Sequence, residues 1–251
     1  MKSLEERMKR YEAVSDNLLP IRVPVIIRLD GWHFKSFTKG LEKPFDLVFR
    51  ETMVETMLYL CKELPGVAFG YTQSDEISLI LCDYQSLETE PWFDSRLNKL
   101  LSIPAGMAAV KFNSVFKYIS NSVLDEAKRT IYEKKYDTAI FDARAFVVPE
   151  NDVVNCIYWR QKDGIRNSIE NVGQTYINKK KLHKKNNTEI IEMLKEKDII
   201  WDDYDTWLTR GACAVKELDE GKGKMVWKID KNIPVFKDEG RDYVSKWIPV
   251  S

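Results

Sequence analysis

The chain has no excess of either charge: 39 Lys+Arg stand against 39 Asp+Glu in 251 residues. That excludes a uniformly basic coat for nucleic acid and a polyacidic tail, and leaves local patches open. Histidine is scarce, with only His33 and His183, too few for a histidine-rich metal centre. The cysteines, Cys61, Cys82, Cys156 and Cys213, lie far apart, and no pair has the CxxC spacing of a zinc or redox site. Such isolated thiols suit a reducing compartment. No apolar run approaches the ~18 residues of a membrane span. The start, MKSLEERMKRYE, lacks the apolar stretch of a secretory signal. A Walker A motif, an internal repeat and a low-complexity linker are all missing. These absences predict a soluble, cytoplasmic protein. Core-forming residues are plentiful, at 44% hydrophobic and 12% aromatic, which excludes disorder as the main description.

Hydrophobic period predicts an ordered series of elements. The β-branched run from Val23 to Asp30 ends in Asp-Gly and reads as a buried strand followed by a turn. Phe45 to Leu64 carries helically spaced apolar residues and is stopped by Pro65-Gly66. Val67 to Tyr71 and Ile77 to Cys82 read as strands flanking a hairpin tip at Thr72 to Glu76. Leu97 to Leu124 reads as helix with a break or start at Pro104, and Ala143 to Val148 as strand. Strand, helix, strand, strand, helix, strand is the split βαβ, or ferredoxin-like, pattern of an α+β fold. Its first and third strands are neighbours, so Asp30 is expected beside Asp75 and Glu76.

Beyond Pro149 the character changes. Asp152 to Ile177 reads as a helix with polar side chains through its centre, then comes the run Lys179 to Lys185 with five lysines and no acid. A short helix from Thr188 to Lys197, capped by Asn187 or Thr188, and a strand around Gly211 to Val215 follow. The expected organisation is a catalytic core over 1–149 and a mainly helical extension over 150–251, packed as one unit.

Asp30, Asp75 and Glu76 form the sharpest constellation. Carboxylates gathered at a sheet end repel and are costly to keep ionised without a counter-charge. Magnesium relieves this, taking a few carboxylate oxygens together with substrate phosphates and waters. Two such ions about 3.5–4 Å apart activate an attacking oxygen and stabilise a leaving pyrophosphate. The same residues also read as a strand-end turn and a solvated hairpin tip. The stretch from Asp30 through Gly31, Trp32, His33 and Phe34 to Lys35 leaves the strand through a glycine, and its N–H groups can turn toward a triphosphate. Lys35, Lys39 and Lys43 are candidate phosphate partners, while Trp32, His33 and Phe34 serve equally well as packing residues.

These segments, in order, resemble the tRNA(His) guanylyltransferase family. The resemblance rests on Ile27-Arg-Leu-Asp-Gly31, Lys43-Pro44, Gly70-Tyr-Thr-Gln-Ser-Asp-Glu76, Phe141-Asp-Ala-Arg144 with Pro149, and Tyr158-Trp-Arg-Gln161. Weaker echoes lie at Lys184 to Asn187 and at Arg210-Gly211. The resemblance implies a polymerase-palm fold working in reverse, adding nucleotides to the 5′ end of tRNA from GTP or other NTPs, with ATP for 5′ activation. It implies two Mg2+ ions on Asp30, Asp75 and the Gly31 carbonyl, catalysis by Asp30, Asp75 and Glu76, and nucleotide binding by Asp30 through Lys35, Lys43, Ser74 and Asp75. Lys43, Lys184 and Arg210 match positions that meet triphosphate or RNA, and the assembly implied is a homotetramer.

One departure is informative. Where eukaryotic members carry His-Ile-Asn-Asn-Leu-Tyr-Asn, this chain has Ile165-Arg-Asn-Ser-Ile-Glu-Asn171. An isoleucine cannot read a base edge by hydrogen bonding. The change resembles the guanylyltransferase-like branch, which repairs 5′-truncated tRNA by templated 3′–5′ addition. Residues 150–185 hold Arg160, Lys162, Arg166, Lys179, Lys180, Lys181, Lys184 and Lys185 against Glu150, Asp152, Asp163 and Glu170. Among these, Arg160, Asn167, Lys179, Lys180, Lys184 and Lys185 are candidate RNA contacts, which would make affinity salt-dependent; a solvated helix end is the plain alternative for the lysines. Fixed tRNA(His) guanylylation, a palm-fold nucleotide cyclase and a non-catalytic tRNA-binding protein are the rival readings.

Overall fold

In a computed structural model, residues 3–221 and 223–249 are described. The strands are β1 (Val25–Gly31), β2 (Val67–Gln73), β3 (Glu76–Leu81), β4 (Phe141–Val147), β5 (Ala212–Asp219) and β6 (Lys224–Asp230). The α-helices are α1 (Leu4–Glu12), α2 (Phe34–Phe37), α3 (Leu47–Glu63), α4 (Leu97–Asn121), α5 (Glu126–Glu133), α6 (Val153–Tyr176), α7 (Lys179–Leu182), α8 (Asn187–Lys195), α9 (Thr206–Thr209) and α10 (Arg241–Ser245). No helix of the described residues is long and apolar enough to cross a membrane.

One sheet, ordered β4-β1-β3-β2-β5-β6, runs through the molecule. Its first four strands have the ferredoxin-like order, and every pairing is antiparallel. The register of β1 on β3 sets Asp30 opposite Glu76, and β1 on β4 sets Asp30 opposite Asp142. The extension contributes more than helices, because β5 and β6 add two strands to the same sheet. β6 has no counterpart in the sequence reading: Lys224–Asp230 is short, carries Lys224, Lys228 and Asp230 around its apolar residues and sits at a sheet edge, none of it fully buried.

Side chains alternate across the sheet and build two cores. Ile27, Leu29, Ile77 and Leu79 pack under α3 and α4. Ile26, Phe69, Tyr71 and Ile80 pack against the start of α6 and the C-terminal segment. In the first core Phe34, Phe37, Phe49, Phe112, Phe116 and Phe141 are in ring contact, with centroid separations such as 5.4 Å for Phe34–Phe112 and 5.1 Å for Phe34–Phe141. A third, smaller core joins α6 to α8 through Ile169, Val172, Ile190, Leu194 and Trp201.

Two expectations are corrected. Pro104 does not break α4: it is buried in the stripe Leu100, Pro104, Ala108, Phe112, Phe116, and this packing offsets the missing backbone hydrogen bond. The cap of α8 is Asn186, whose side chain accepts from Glu189 N while the Glu189 carboxylate accepts from Asn186 N.

Phe112 is fully buried at the centre of the phenylalanine cluster. Phe112→Ala is expected to lower unfolding free energy by about 3–5 kcal/mol, measured by urea denaturation.

Candidate functional site

Asp30 ends β1, and Ser74-Asp75 forms the two-residue tip between β2 and β3. The Gly31 N–H donates to the Asp75 carbonyl at 3.0 Å, which fixes strand end and tip together. Ser74 occupies the left-handed region with φ 51°, an uncommon conformation that a tight tip imposes on a non-glycine residue. Gly31 is required for a different reason: a Cβ there would lie 2.3 Å from the Phe34 ring. Phe34 is therefore core, at 2% exposure, and its ring closes over the backbone on which the site is built. Trp32 is half-exposed and lies edge-on to His33, with ring centroids 4.0 Å apart.

The acids repel. Burial raises the Asp30 pKa to about 6, reinforced in order by Asp75, Glu76 and Asp142 and partly offset by Arg28. Glu76 takes a different part from Asp30. It is buried, and its two oxygens accept from Arg160 Nε at 2.7 Å and Nη2 at 2.5 Å. Arg160 also bonds Asp163 at 3.1 Å. Arg160, a candidate RNA contact by sequence, is turned inward with its guanidinium taken up by these two carboxylates, because it stands on the sheet-facing side of α6 opposite β3. The signal that could have found this is the stripe Val153, Ile157, Arg160, Gly164, Ser168, Val172, in which Arg160 falls on the buried face.

A cavity of about 400 Å³ opens beside Asp75, and its walls come from two parts of the chain. Phe34, Lys35, Lys43, Phe45, Asp46 and Arg50 form one side, Asn167, Glu170 and Asn171 of α6 the other, and Ser74 and Asp75 one end. It thus brings Lys35, Lys43, Ser74, Asp75 and Asn167 together. Asp46, Arg50, Glu170 and Asn171 join them as lining residues absent from the sequence-derived set. Asp46 caps α3 by accepting from Phe49 N at 2.9 Å, and also accepts from Glu42 N and from the Tyr132 hydroxyl. Ile165 packs at the margin of the third core.

Lys179, Lys184, Lys185 and His183 line a separate cavity of about 290 Å³, which shares Glu170 with the larger one. Lys185 is paired with Glu189 at 2.7 Å, and Lys180 is exposed. Arg210 is half-buried, and its carbonyl accepts from the Tyr71 hydroxyl at 2.7 Å; it is not among the residues lining the larger cavity.

No group of three or more His, Cys, Asp or Glu side chains among the described residues is arranged to hold a metal ion. The residues nevertheless fit a substrate-completed magnesium site. Asp30 and Asp75 are brought together without a bonded cation, Glu76 being occupied by Arg160, and magnesium commonly completes its shell with phosphate and water.

An antiparallel ferredoxin-like sheet with acids at one end, opening on a nucleotide-sized cavity, defines a palm-type nucleotidyltransferase. The family model described as tRNAHis guanylyltransferase (Thg1) matches residues 5–149, and the chain belongs to that family. Uncharacterized protein R259 of Acanthamoeba polyphaga mimivirus is 32% identical over 225 residues, covering 85% of this chain and 77% of that protein. The tRNA(His) guanylyltransferase of Debaryomyces hansenii is 30% identical over 173 residues, covering 68% of this chain and 60% of the relative, so the chain spans about three-fifths of that enzyme. Among solved structures, a bacterial Thg1-like protein in complex with ATP superposes with TM-score 0.88 at 37% identity, covering 99% of this chain and all of the other. A bacterial Thg1-like protein in complex with GTP superposes with TM-score 0.82 at 35% identity, with the same coverage. The Saccharomyces cerevisiae enzyme, at 19% identity and TM-score 0.66 over 86% of this chain and 92% of that one, shares the fold.

Two outcomes follow from this geometry. Arg160→Met alone leaves Glu76 buried and unpaired and is expected to cost about 3–5 kcal/mol, whereas Glu76→Leu with Arg160→Met costs less than either single change; chemical denaturation of the three variants checks it. Asp30→Asn removes a desolvated, repelled charge. At pH 8 without divalent cations it is expected to raise unfolding free energy by roughly 1–2 kcal/mol, after discounting for the carboxylate's partial exposure, read as an upward shift in Tm.

Proposed function

We propose that the protein is a template-dependent 3′–5′ nucleotidyltransferase that adds nucleotides to the 5′ end of truncated tRNA and releases pyrophosphate. The observation that carries this reading is Asp75 at one end of the cavity lined by Lys35, Lys43, Ser74 and Asn167, with Asp30 outside the lining but tied to that end by the Gly31 N–H on the Asp75 carbonyl. Its volume of about 400 Å³ suits a nucleoside triphosphate. Lys35 and Lys43 hold phosphate by charge, and the Asn167 and Asn171 amides offer donors and acceptors at the opposite wall. Magnesium, held by Asp30, Asp75 and the Gly31 carbonyl with substrate phosphates, would lower the pKa of the attacking 3′-hydroxyl and neutralise charge on the leaving pyrophosphate. Asp30 and Asp75 hold the reacting ends together, while Glu76, clasped by Arg160, keeps the hairpin tip in register with β1. The lysine-lined cavity of Lys179, Lys184 and Lys185 lies beyond Glu170 and would receive RNA phosphates. Bound ATP and GTP in the similar bacterial structures support nucleotide triphosphates as ligands of this cavity. The homotetramer and the cytoplasmic location belong to the same reading.

Fixed addition of one guanosine to tRNA(His) is the second reading, supported by the names of relatives such as the Debaryomyces hansenii enzyme. Against it stands Ile165, an apolar packing side chain where eukaryotic members have histidine.

A 5′-truncated, 5′-triphosphorylated tRNA incubated with NTPs and Mg2+ is expected to lengthen, with the added nucleotide set by the opposing base. Asp30→Ala and Asp75→Ala are each expected to reduce extension by at least about 1,000-fold. Guanosine addition irrespective of the opposing base points to the tRNA(His) reading. A cyclic nucleotide formed from ATP or GTP alone, or RNA binding with no incorporation, overturns both.

A further inference from the structure

Arg50 sits in the first turn and a half of α3, where sequence period alone marks it as one more charge on a helix. Its surroundings are unusual for an arginine. It lines the nucleotide-sized cavity and also a narrow void behind the hairpin, shared with Thr72, Gln73, Ser74 and Trp207. The guanidinium lies 5.4 Å from the centroid of the Phe45 ring. Its backbone N–H bonds the Asp46 carbonyl at 3.0 Å, but among the described residues the guanidinium makes no ion pair or hydrogen bond.

The acid one turn away does not serve it. Asp46 Oδ1 accepts from Phe49 N, and Oδ2 from Glu42 N and the Tyr132 hydroxyl. Burial lowers the Arg50 pKa to about 10, and Asp75 is the foremost opposing charge; the group stays cationic at neutral pH. A desolvated guanidinium with no bonded anion is costly, and its five donors are left to an acceptor entering the cavity.

We propose that Arg50 is a positioning residue that binds phosphate oxygens of the nucleotide held in this cavity. This rests on the cavity's assignment to a nucleoside triphosphate. Phosphate fits better than a base edge because the guanidinium's foremost charged neighbour is Asp75, at the end where triphosphate and metal would meet, rather than Glu170 on the α6 wall. A planar fork matches phosphate bidentately, whereas Lys35 and Lys43 act as point charges. A phosphate contact also serves every nucleotide alike, as templated addition requires.

The test is direct titration of the full chain with GTP, ATP, CTP, UTP and guanosine, with inorganic tripolyphosphate as competitor. Wild type, Arg50→Gln and Arg50→Met are compared. Both substitutions are expected to weaken all four triphosphates by a similar factor, about 10–100-fold. Guanosine binding is expected to be unchanged, and tripolyphosphate to lose its competing effect. Arg50→Met, which replaces the half-buried charge with an apolar chain, is also expected to raise the Tm of the nucleotide-free protein, an outcome opposite to that of a merely structural arginine. Unchanged triphosphate affinity, or a loss confined to one base, overturns the assignment while leaving the cavity's function standing. Wild-type protein that binds no triphosphate overturns both.

Discussion

The clasp between Arg160 and Glu76 is the interaction on which the site depends. Glu76 begins β3 directly opposite Asp30, and Arg160 belongs to the helix that supplies the far wall of the cavity. One bidentate contact therefore joins the strand pair carrying the acids to the helix that encloses the ligand. Were Glu76 free, the charge with which it already presses on Asp30 would lose its counter-ion, and α6 would lose its polar tie to the sheet. A buried pair of this kind is weak evidence for net stability. Its contribution here is register: it fixes which face of α6 turns inward, and so which of its residues, Asn167 and Asn171, reach the cavity.

The rest of α6 follows from the same face. Gly164 allows close approach, since a Cβ there would meet the Gln73 side chain at 2.7 Å. Gln161, next to Arg160, donates from Nε2 to the Pro234 carbonyl at 2.9 Å and accepts from Phe236 N at 2.7 Å, which ties the C-terminal segment to the same helix. The Trp-Arg-Gln run thus puts one residue on the solvent side, one on the sheet and one on the chain's last segment.

Most of the core architecture was legible because burial leaves a strong periodic mark. The β1 and β3 runs each have one wholly apolar face, Val25, Ile27 and Leu29 on one and Ile77, Leu79 and Leu81 on the other, and a strand–helix–strand–strand–helix–strand order leaves few arrangements. The juxtaposition of Asp30 with Asp75 and Glu76 followed from that topology alone. What was not legible is pairing. The helical stripe of Asp152 to Ile177 puts Arg160 on the inward face and leaves Arg166 off it, but which acid receives the guanidinium depends on the neighbouring strand. Arg50 was hidden for a related reason, since a cation on a helix is read as solvated until the wall opposite it is known. The cap of α8 falls one or two residues before the expected Asn187 or Thr188 because Asn186, Asn187 and Thr188 are all competent caps, and only the reciprocal bond with Glu189 selects the first.

The two walls of the cavity are separated by more than a hundred residues of chain, since one runs from Phe34 to Arg50 and the other from Asn167 to Asn171. The acids and the ligand's enclosure are consequently built by different stretches of polypeptide. During synthesis, the segment through Val147, which carries both acids, leaves the ribosome before α6 does. The residues of the reactive end are therefore made before those of the wall that encloses it.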